Sequence, residues 1–383
     1  MNPRRLVYLS GTRADFGLMR HTLQALAAHP TLDVSVAVTG MHLDAAYGHT
    51  VDDIVASGLR IAGRIPSDMH TRDRAGMARA VAQTLLGLTD LLATQTPEAL
   101  LLLGDRGEML AGATAALHLG IPTVHIHGGE RSGTVDEPMR HAISKLATYH
   151  FAATMESRER LIAMGEEPAR VFEVGAPGLD DLPAAGALPR DVALRAIGLD
   201  PLAPRPYVLV VFHPVVQEAE DAAAQTEALA RGLRRAGAGA DFEVVWLAPN
   251  ADAGSGAIAD ALQAQHWPGL KRITHLPRPQ YLAALRHAAA LLGNSSSGII
   301  EAASFGTPVV NVGSRQHLRQ RNPGTVDVPA QAAAVAEALQ AALQAGRGAA
   351  HNVYGDGNAA ARITQLLTTL PLSPALLAKT NRY

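Results

Sequence analysis

Four consecutive leucines, Leu100 to Leu103, run straight into Gly104-Asp105-Arg106-Gly107-Glu108. An apolar run with no polar alternation marks a strand buried on both faces, as in a parallel sheet covered by helices. The theme recurs along the N-terminal half. Leu6 to Leu9 ends in Ser10-Gly11-Thr12-Arg13, Val34 to Val38 in Thr39-Gly40, and Ile121 to Ile126 in His127-Gly128-Gly129-Glu130. Stretches of helical pattern such as LMRHTLQALAAH follow the runs. Alternating strands and helices predict a doubly wound α/β domain, with its ligands at the polar C-terminal ends of the strands.

A connector rich in Pro and Gly, from Gly175 through DDLPAAGALPRD, interrupts the pattern. It then restarts with Tyr207 to Phe212, Phe242 to Leu247, Ile273 to Leu276, Leu291-Leu292 and Pro308 to Val312. Two Rossmann-like domains are expected, 1–178 and 179–364, with the active site in the cleft between them. VPAQAAAVAEALQAALQA and ARITQLLTTL read as helices, the alanines supplying helix propensity. With 33 basic against 35 acidic residues, the formal charge of -2 argues against a nucleic-acid or polybasic membrane binder. Cysteine is absent, which excludes disulfides, thiolate zinc sites and thiol catalysis. The apolar run after MNPRR is too short for a signal peptide, and no apolar stretch is long enough for a span, so a cytoplasmic protein is expected.

The strand ends hold the candidate chemistry. Ser10-Gly11-Thr12-Arg13 is a strand–helix turn or a phosphate site with Arg13 as a bidentate partner; neither the Rossmann nor the P-loop spacing is met. Charges directly after a buried strand are costly, which points to Asp105 as a base and Arg106 as a phosphate ligand, with an internal ion pair as the other reading. Glu108 fits the ordinary preference for acids in a first helical turn. His125-Ile-His127-Gly-Gly-Glu130-Arg131, followed by Asp136-Glu137 and Arg140-His141, is the densest cluster. Strand alternation puts His125 and His127 on one face, suited to proton transfer, with metal binding or a strand-edge cap as the other readings. His213-Pro214 repeats the strand-end placement in the second domain, where a lone histidine reads equally as functional or structural. In Gly293-Asn-Ser295-Ser296-Ser297-Gly298-Ile-Ile-Glu301, hydroxyls and N–H groups at a helix start suit a diphosphate, and Glu301 a ribose; an ordinary Ser N-cap, the other reading, explains one serine but not three between glycines.

GTRADFG, GDRGE, HIHGGERSGTVDEPMRHAISK, His213-Pro214 and NSSSGIIEAASFGTPVVN, in this order over residues 6 to 315, resemble the UDP-N-acetylglucosamine 2-epimerase family. The closer resemblance is to its hydrolysing branch, which serves bacterial sialic-acid and legionaminic-acid pathways. It implies a GT-B-like fold whose last helix, about 365–383, packs back on the first domain. It also implies anti elimination of UDP to a glycal, then hydration to the free C2-inverted sugar. Asp105 and Glu130 are the implied acid/base pair, with His127, Asp136 and Glu137 around them and His213 at the departing phosphates. Arg13 and Arg106 fall to the pyrophosphate and cleft wall, Ser295 and Ser296 to the diphosphate, Glu301 to the ribose, and Arg315 near the nucleotide. No cofactor or metal, nucleic acid or membrane is implied; a homodimer or homotetramer is. Some members carry Lys five residues after the motif's Arg; here Leu18 stands there, which weighs against plain UDP-N-acetylglucosamine but leaves the reaction type intact. A non-hydrolysing epimerase, a GT-B glycosyltransferase and a non-catalytic nucleotide-sugar sensor on the same scaffold are the alternative functions.

Overall fold

The computed structural model describes residues 2–71, 73–131, 136–249 and 252–382. They form two α/β units. The first carries strands β1 (Arg4–Ser10), β2 (Leu32–Thr39), β3 (Arg60–Ile65), β4 (Ala99–Leu103), β5 (Thr123–Ile126), β6 (Tyr149–Ala152) and β7 (Val171–Glu173). Its helices are α1 (Arg13–Ala27), α2 (Val51–Ala56), α3 (Arg74–Gln95), α4 (Gly107–His118), α5 (Asp136–Leu146) and α6 (Met155–Ala163). The second unit, Asp181–Val353, carries α7 (Leu182–Ala185), α8 (Arg190–Ala196), β8 (Tyr207–Val211), α9 (Ala222–Arg235), β9 (Glu243–Leu247), α10 (Ser255–Gln263) and β10 (Leu270–Ile273). It continues through α11 (Arg278–His287), β11 (Ala290–Gly293), α12 (Ser296–Ile300), β12 (Val309–Val312), β13 (Thr325–Val328) and α13 (Ala332–Ala345). From Tyr354 the chain rejoins the first unit, where α14 (Ala359–Thr369) packs on α1. The expected boundary near 365 falls inside this helix.

Both sheets are parallel, in the orders β3-β2-β1-β4-β5-β6-β7 and β10-β9-β8-β11-β12-β13. The unbroken apolar runs are explained by how their side chains divide. In β1, Leu6 and Tyr8 enter one core while Val7 and Leu9 enter the other; in β4, Leu101 and Leu103 oppose Leu100 and Leu102. In β8, Val208 and Val210 oppose Tyr207 and Leu209. The period of two is intact, but both faces are dry.

The strands that escape the sequence pattern lie in the outer parts of the sheets. β3 and β13 are edge strands, half-exposed and polar on one side. β6 and β7 are short and broken by His150 and Glu173. The expected strand Ile273–Leu276 is misplaced: β10 ends at Ile273, because an edge strand tolerates Lys271 and Arg272. Among the described residues no helix is long and apolar enough to cross a membrane.

In each sheet the chain reverses its direction of strand addition once, between β1 and β4 and between β8 and β11. Such a switch point opens a crevice at the C-terminal strand ends. Arg13 and Asp105-Arg106 follow the strands flanking the first; His213 and Ser295–Ser297 follow those flanking the second.

Candidate active site

At the first switch point the Ser10–Asp15 turn satisfies itself. Thr12 caps α1, its Oγ1 accepting from Asp15 N at 3.2 Å, while the Asp15 carboxylate accepts from Gly11 N at 3.0 Å and Thr12 N at 2.7 Å. Asp15 is buried, which pushes its carboxyl above the ordinary value against the opposing pull of His42, Ser10 and Thr12. Ser10 joins the carboxylate to His42, 2.9 Å away, and the other His42 nitrogen lies 2.8 Å from Thr50. This turn presents Arg13, exposed, as the first residue of α1. Arg106 caps α4, with its Nε 3.4 Å from a Glu108 carboxylate oxygen.

Asp105 forms an ion pair with Arg140, from the second turn of α5, and keeps 18% of its side chain exposed. Arg140 is 1% exposed and also donates from Nη1 to the Glu130 carbonyl at 2.9 Å. One guanidinium thus ties the turn after β4 to the loop after β5. Sequence reasoning placed Arg140 near the cluster without giving it a role; on a helix, an arginine four residues past Asp136 looks like any other.

The two histidines part company. β5 stops at Ile126, and His127 takes a left-handed backbone with φ of 62°, so strand alternation does not reach it. Such a conformation costs about 1–3 kcal/mol in a non-glycine residue and is retained where the surroundings demand it. It turns His127 onto Glu130, with Nδ1 2.5 Å from Oε1, and the pair is almost fully buried. His125 is instead internal scaffolding. Its Nε2 sits 2.7 Å from the Gly104 carbonyl and its Nδ1 3.1 Å from the Ser144 hydroxyl. Burial pulls its pKa down to about 3, so the ring is neutral, donates from Nε2 and accepts from Ser144. Asp136 and Glu137 are the first two residues of α5, half-buried, where the helix dipole favours carboxylates. Glu137 lies 3.8 Å from His141. The preceding residues of the motif, 132–135, lie outside the described residues.

The second unit gathers its candidates around Asn294. The Asn294 amide brackets the His213 backbone, accepting from His213 N at 2.7 Å and donating to His213 O at 2.8 Å. Arg315 and Gln316 both donate to the Asn294 carbonyl, at 3.2 and 3.1 Å. Asn294 therefore holds the loops after β8, β11 and β12 together, a role hidden in sequence by the serines that follow it. Ser295 is the N-cap of α12, accepting from Ser297 N at 3.3 Å, and Ser296 opens the helix. Ser297 is hydrogen-bonded to the Tyr281 hydroxyl and lies 3.0 Å from the Ser295 hydroxyl. The bare α-carbon of Gly298 faces Leu291 and Val309 of the sheet. Glu301, expected to face a ligand, is 2% exposed and accepts from Arg278 at 2.7 Å; Arg278 in turn grips Asp181 through two bonds of 3.0 Å. Burial pushes the Glu301 carboxyl up, and Arg278 opposes the shift. Arg278 and Tyr281 carried no distinguishing sequence signal.

Residues 24–368 match the family model described as UDP-N-acetylglucosamine 2-epimerase. The chain is 46% identical to the UDP-N,N'-diacetylbacillosamine 2-epimerase (hydrolyzing) of Legionella pneumophila, over 99% of this chain and 100% of that one. It is 28% identical, over 85% of each chain, to the GDP/UDP-N,N'-diacetylbacillosamine 2-epimerase (hydrolyzing) of Campylobacter jejuni. Among solved structures, the UDP-GlcNAc 2-epimerase of Neisseria meningitidis bound to UDP-GlcNAc shares the fold, with a TM-score of 0.79 at 18% identity over 96% of this chain and 100% of that one.

Proposed function

The chain belongs to the UDP-N-acetylglucosamine 2-epimerase family, and we propose that, as a hydrolysing 2-epimerase, it acts on a UDP-2,4-diacetamido-2,4,6-trideoxy sugar. The observation that carries the choice of sugar is the 46% identity, along essentially the whole chain, to a relative named for UDP-N,N'-diacetylbacillosamine. Leu18 supports it. Where some members offer an ammonium, this chain has an apolar side chain packed on the core of the first unit.

In this reading Asp105 accepts the C2 proton. It is the more accessible of the two carboxylates and is held by Arg140. As the C2–H bond breaks, its electrons form the C1=C2 bond of the glycal and the C1–O bond to UDP cleaves. Charge developing on the diphosphate is met by His213, Arg315 and the hydroxyls of Ser295 and Ser296. Water then adds its hydroxyl to C1 while a proton reaches C2 from the opposite face, supplied by the His127–Glu130 pair, whose Nδ1 and Oε1 lie 2.5 Å apart; the proton that water gives up returns to that pair, and Asp105 releases the C2 proton to solvent. Asp136 and Glu137 lie at the start of the helix that carries Arg140. The products are the C2-inverted free sugar and UDP.

Proton NMR in heavy water tests this directly. The diacetamido sugar nucleotide should yield free UDP and a free manno-configured sugar deuterated at C2, faster than UDP-N-acetylglucosamine does. The reverse preference would overturn the choice of sugar. Asp105→Asn should lower kcat by about 10²–10⁴-fold, the usual worth of a positioned base, with UDP affinity little changed. Parallel loss of UDP affinity would make Asp105 a structural residue.

A further inference from the structure

After α14 the chain does not trail into solvent. Arg170 donates to Leu376 O at 2.7 Å, Tyr149 to Pro371 O at 2.9 Å, and Arg382 N to Gly165 O at 3.0 Å. Leu370, Leu372 and Leu376 pack on the core of the first unit. At its centre the Lys379 ammonium donates to Ser144 O at 3.1 Å, Ala147 O at 2.7 Å and Glu166 Oε2 at 2.7 Å.

We propose that Leu370–Arg382 is a strap that positions the acid/base site, with Lys379 as the positioning residue through which it acts on α5. The inference rests on the roles of Asp105 and Glu130 proposed above. The last carbonyls of a helix have no partners within it, and a cation there satisfies them and favours the dipole. Lys379 is that cation for α5. Ser144, whose carbonyl it takes, directs its hydroxyl onto His125, and His125 holds the Gly104 carbonyl beside Asp105. One turn earlier on the same helix, Arg140 holds Asp105 and Glu130.

Neutralising Glu166 does not require Lys379. Glu166 is buried and already has Lys145 at 3.0 Å and His150 at 2.9 Å. Burial also pulls the Lys379 pKa down, against the pull of Glu166. A second, half-buried ammonium there is costly as charge balance, and what it adds is the hold on the end of α5. Lys145, in the last turn of α5, extends the contact by donating to Asn381 at 2.9 Å.

The test uses the full chain carrying Lys379→Gln, the full chain carrying Lys379→Arg, and a chain ending at Ala378. Lys379→Gln and the shortened chain should lose kcat by about tenfold, on the scale of a small misplacement of reacting groups. KM and UDP affinity should stay within about twofold, and Lys379→Arg should recover most of kcat. Amides of α5 should exchange faster with heavy water in the two weakened forms. A lower melting temperature with unchanged kcat and unchanged α5 exchange would reduce the strap to a stabiliser and overturn the proposal. If the shortened chain does not fold, Lys379→Gln alone decides. Absence of any sugar-nucleotide turnover by the parent chain would instead overturn the functional reading, while exchange in α5 would still judge the strap.

Discussion

Three histidines, His42, His125 and His150, are buried with their rings hydrogen-bonded, and burial lowers the pKa of each, to about 3 for His125. Unfolding returns them to about 6.5. Between the folded and unfolded values the unfolded chain binds more protons, so stability should fall as pH drops through 6.5. Glu166 works in a lower window. Burial raises its carboxyl, but His150 and Lys379 outweigh that and bring it to about 2, so its contribution is lost only below about 4.5. Urea melts from pH 7.5 to 5.0 should therefore show a decline before carboxylates titrate, and His125→Gln should flatten part of it. Equal slopes for the two proteins would show that His125 does not enter the folded state neutral. At this scale the sequence disclosed the residues whose placement is itself anomalous, such as Asp105 and Arg106 after four leucines. Arg140, Asn294 and Arg278 were not legible, because an arginine on a helix or an amide before serines is ordinary until its partners are known.

What fixes the second switch point is how closely β8 and β11 approach. Gly293 has φ of 136°, and a Cβ there would fall 2.1 Å from the Val211 carbonyl oxygen. The next residue, Asn294, donates its N–H to that same oxygen and brackets His213 with its side chain. At Gly104 φ is 80°, and no atom lies within 4 Å of an added Cβ. The two glycines should separate cleanly on substitution. Gly104→Ala carries only left-handed strain, about 1–2 kcal/mol, whereas Gly293→Ala must also displace a backbone carbonyl and should cost about 3 kcal/mol or more. Thermal melts of the two variants test this, and equal losses would mean that the β8–β11 junction yields easily. Central strands were legible because both their faces are dry. Edge strands were not, since β3, β10 and β13 carry charges on exposed sides and resemble loops in composition. The shift of β10 by three residues is that ambiguity made visible.

The two units differ in how the chain builds them, and that difference has a consequence. Among the described residues, the second unit's two main cores draw on residues between Leu194 and Leu339, with outlying contacts no further than Leu343. The first unit's main core takes Ala359, Ile363 and Leu367 from α14, each at most 1% exposed. Fully burying the two larger of these contributes about 3–6 kcal/mol at 1.5–3 kcal/mol per side chain, a large share of the 5–15 kcal/mol that holds a typical domain folded. A chain of residues 181–353 should therefore fold alone with a cooperative melt. Carrying His213, Ser295–Ser297, Glu301 and Arg315, it should bind UDP in calorimetry without turning over a sugar nucleotide. A chain of residues 1–180 should expose the surface that α14 covers and aggregate, and a peptide of residues 354–382 added during refolding should rescue it. If 1–180 folds without the peptide, α14 is an accessory to that core. If 181–353 folds yet binds no UDP, the diphosphate contacts assigned to it are wrong, because every candidate side chain of that unit is present in the fragment.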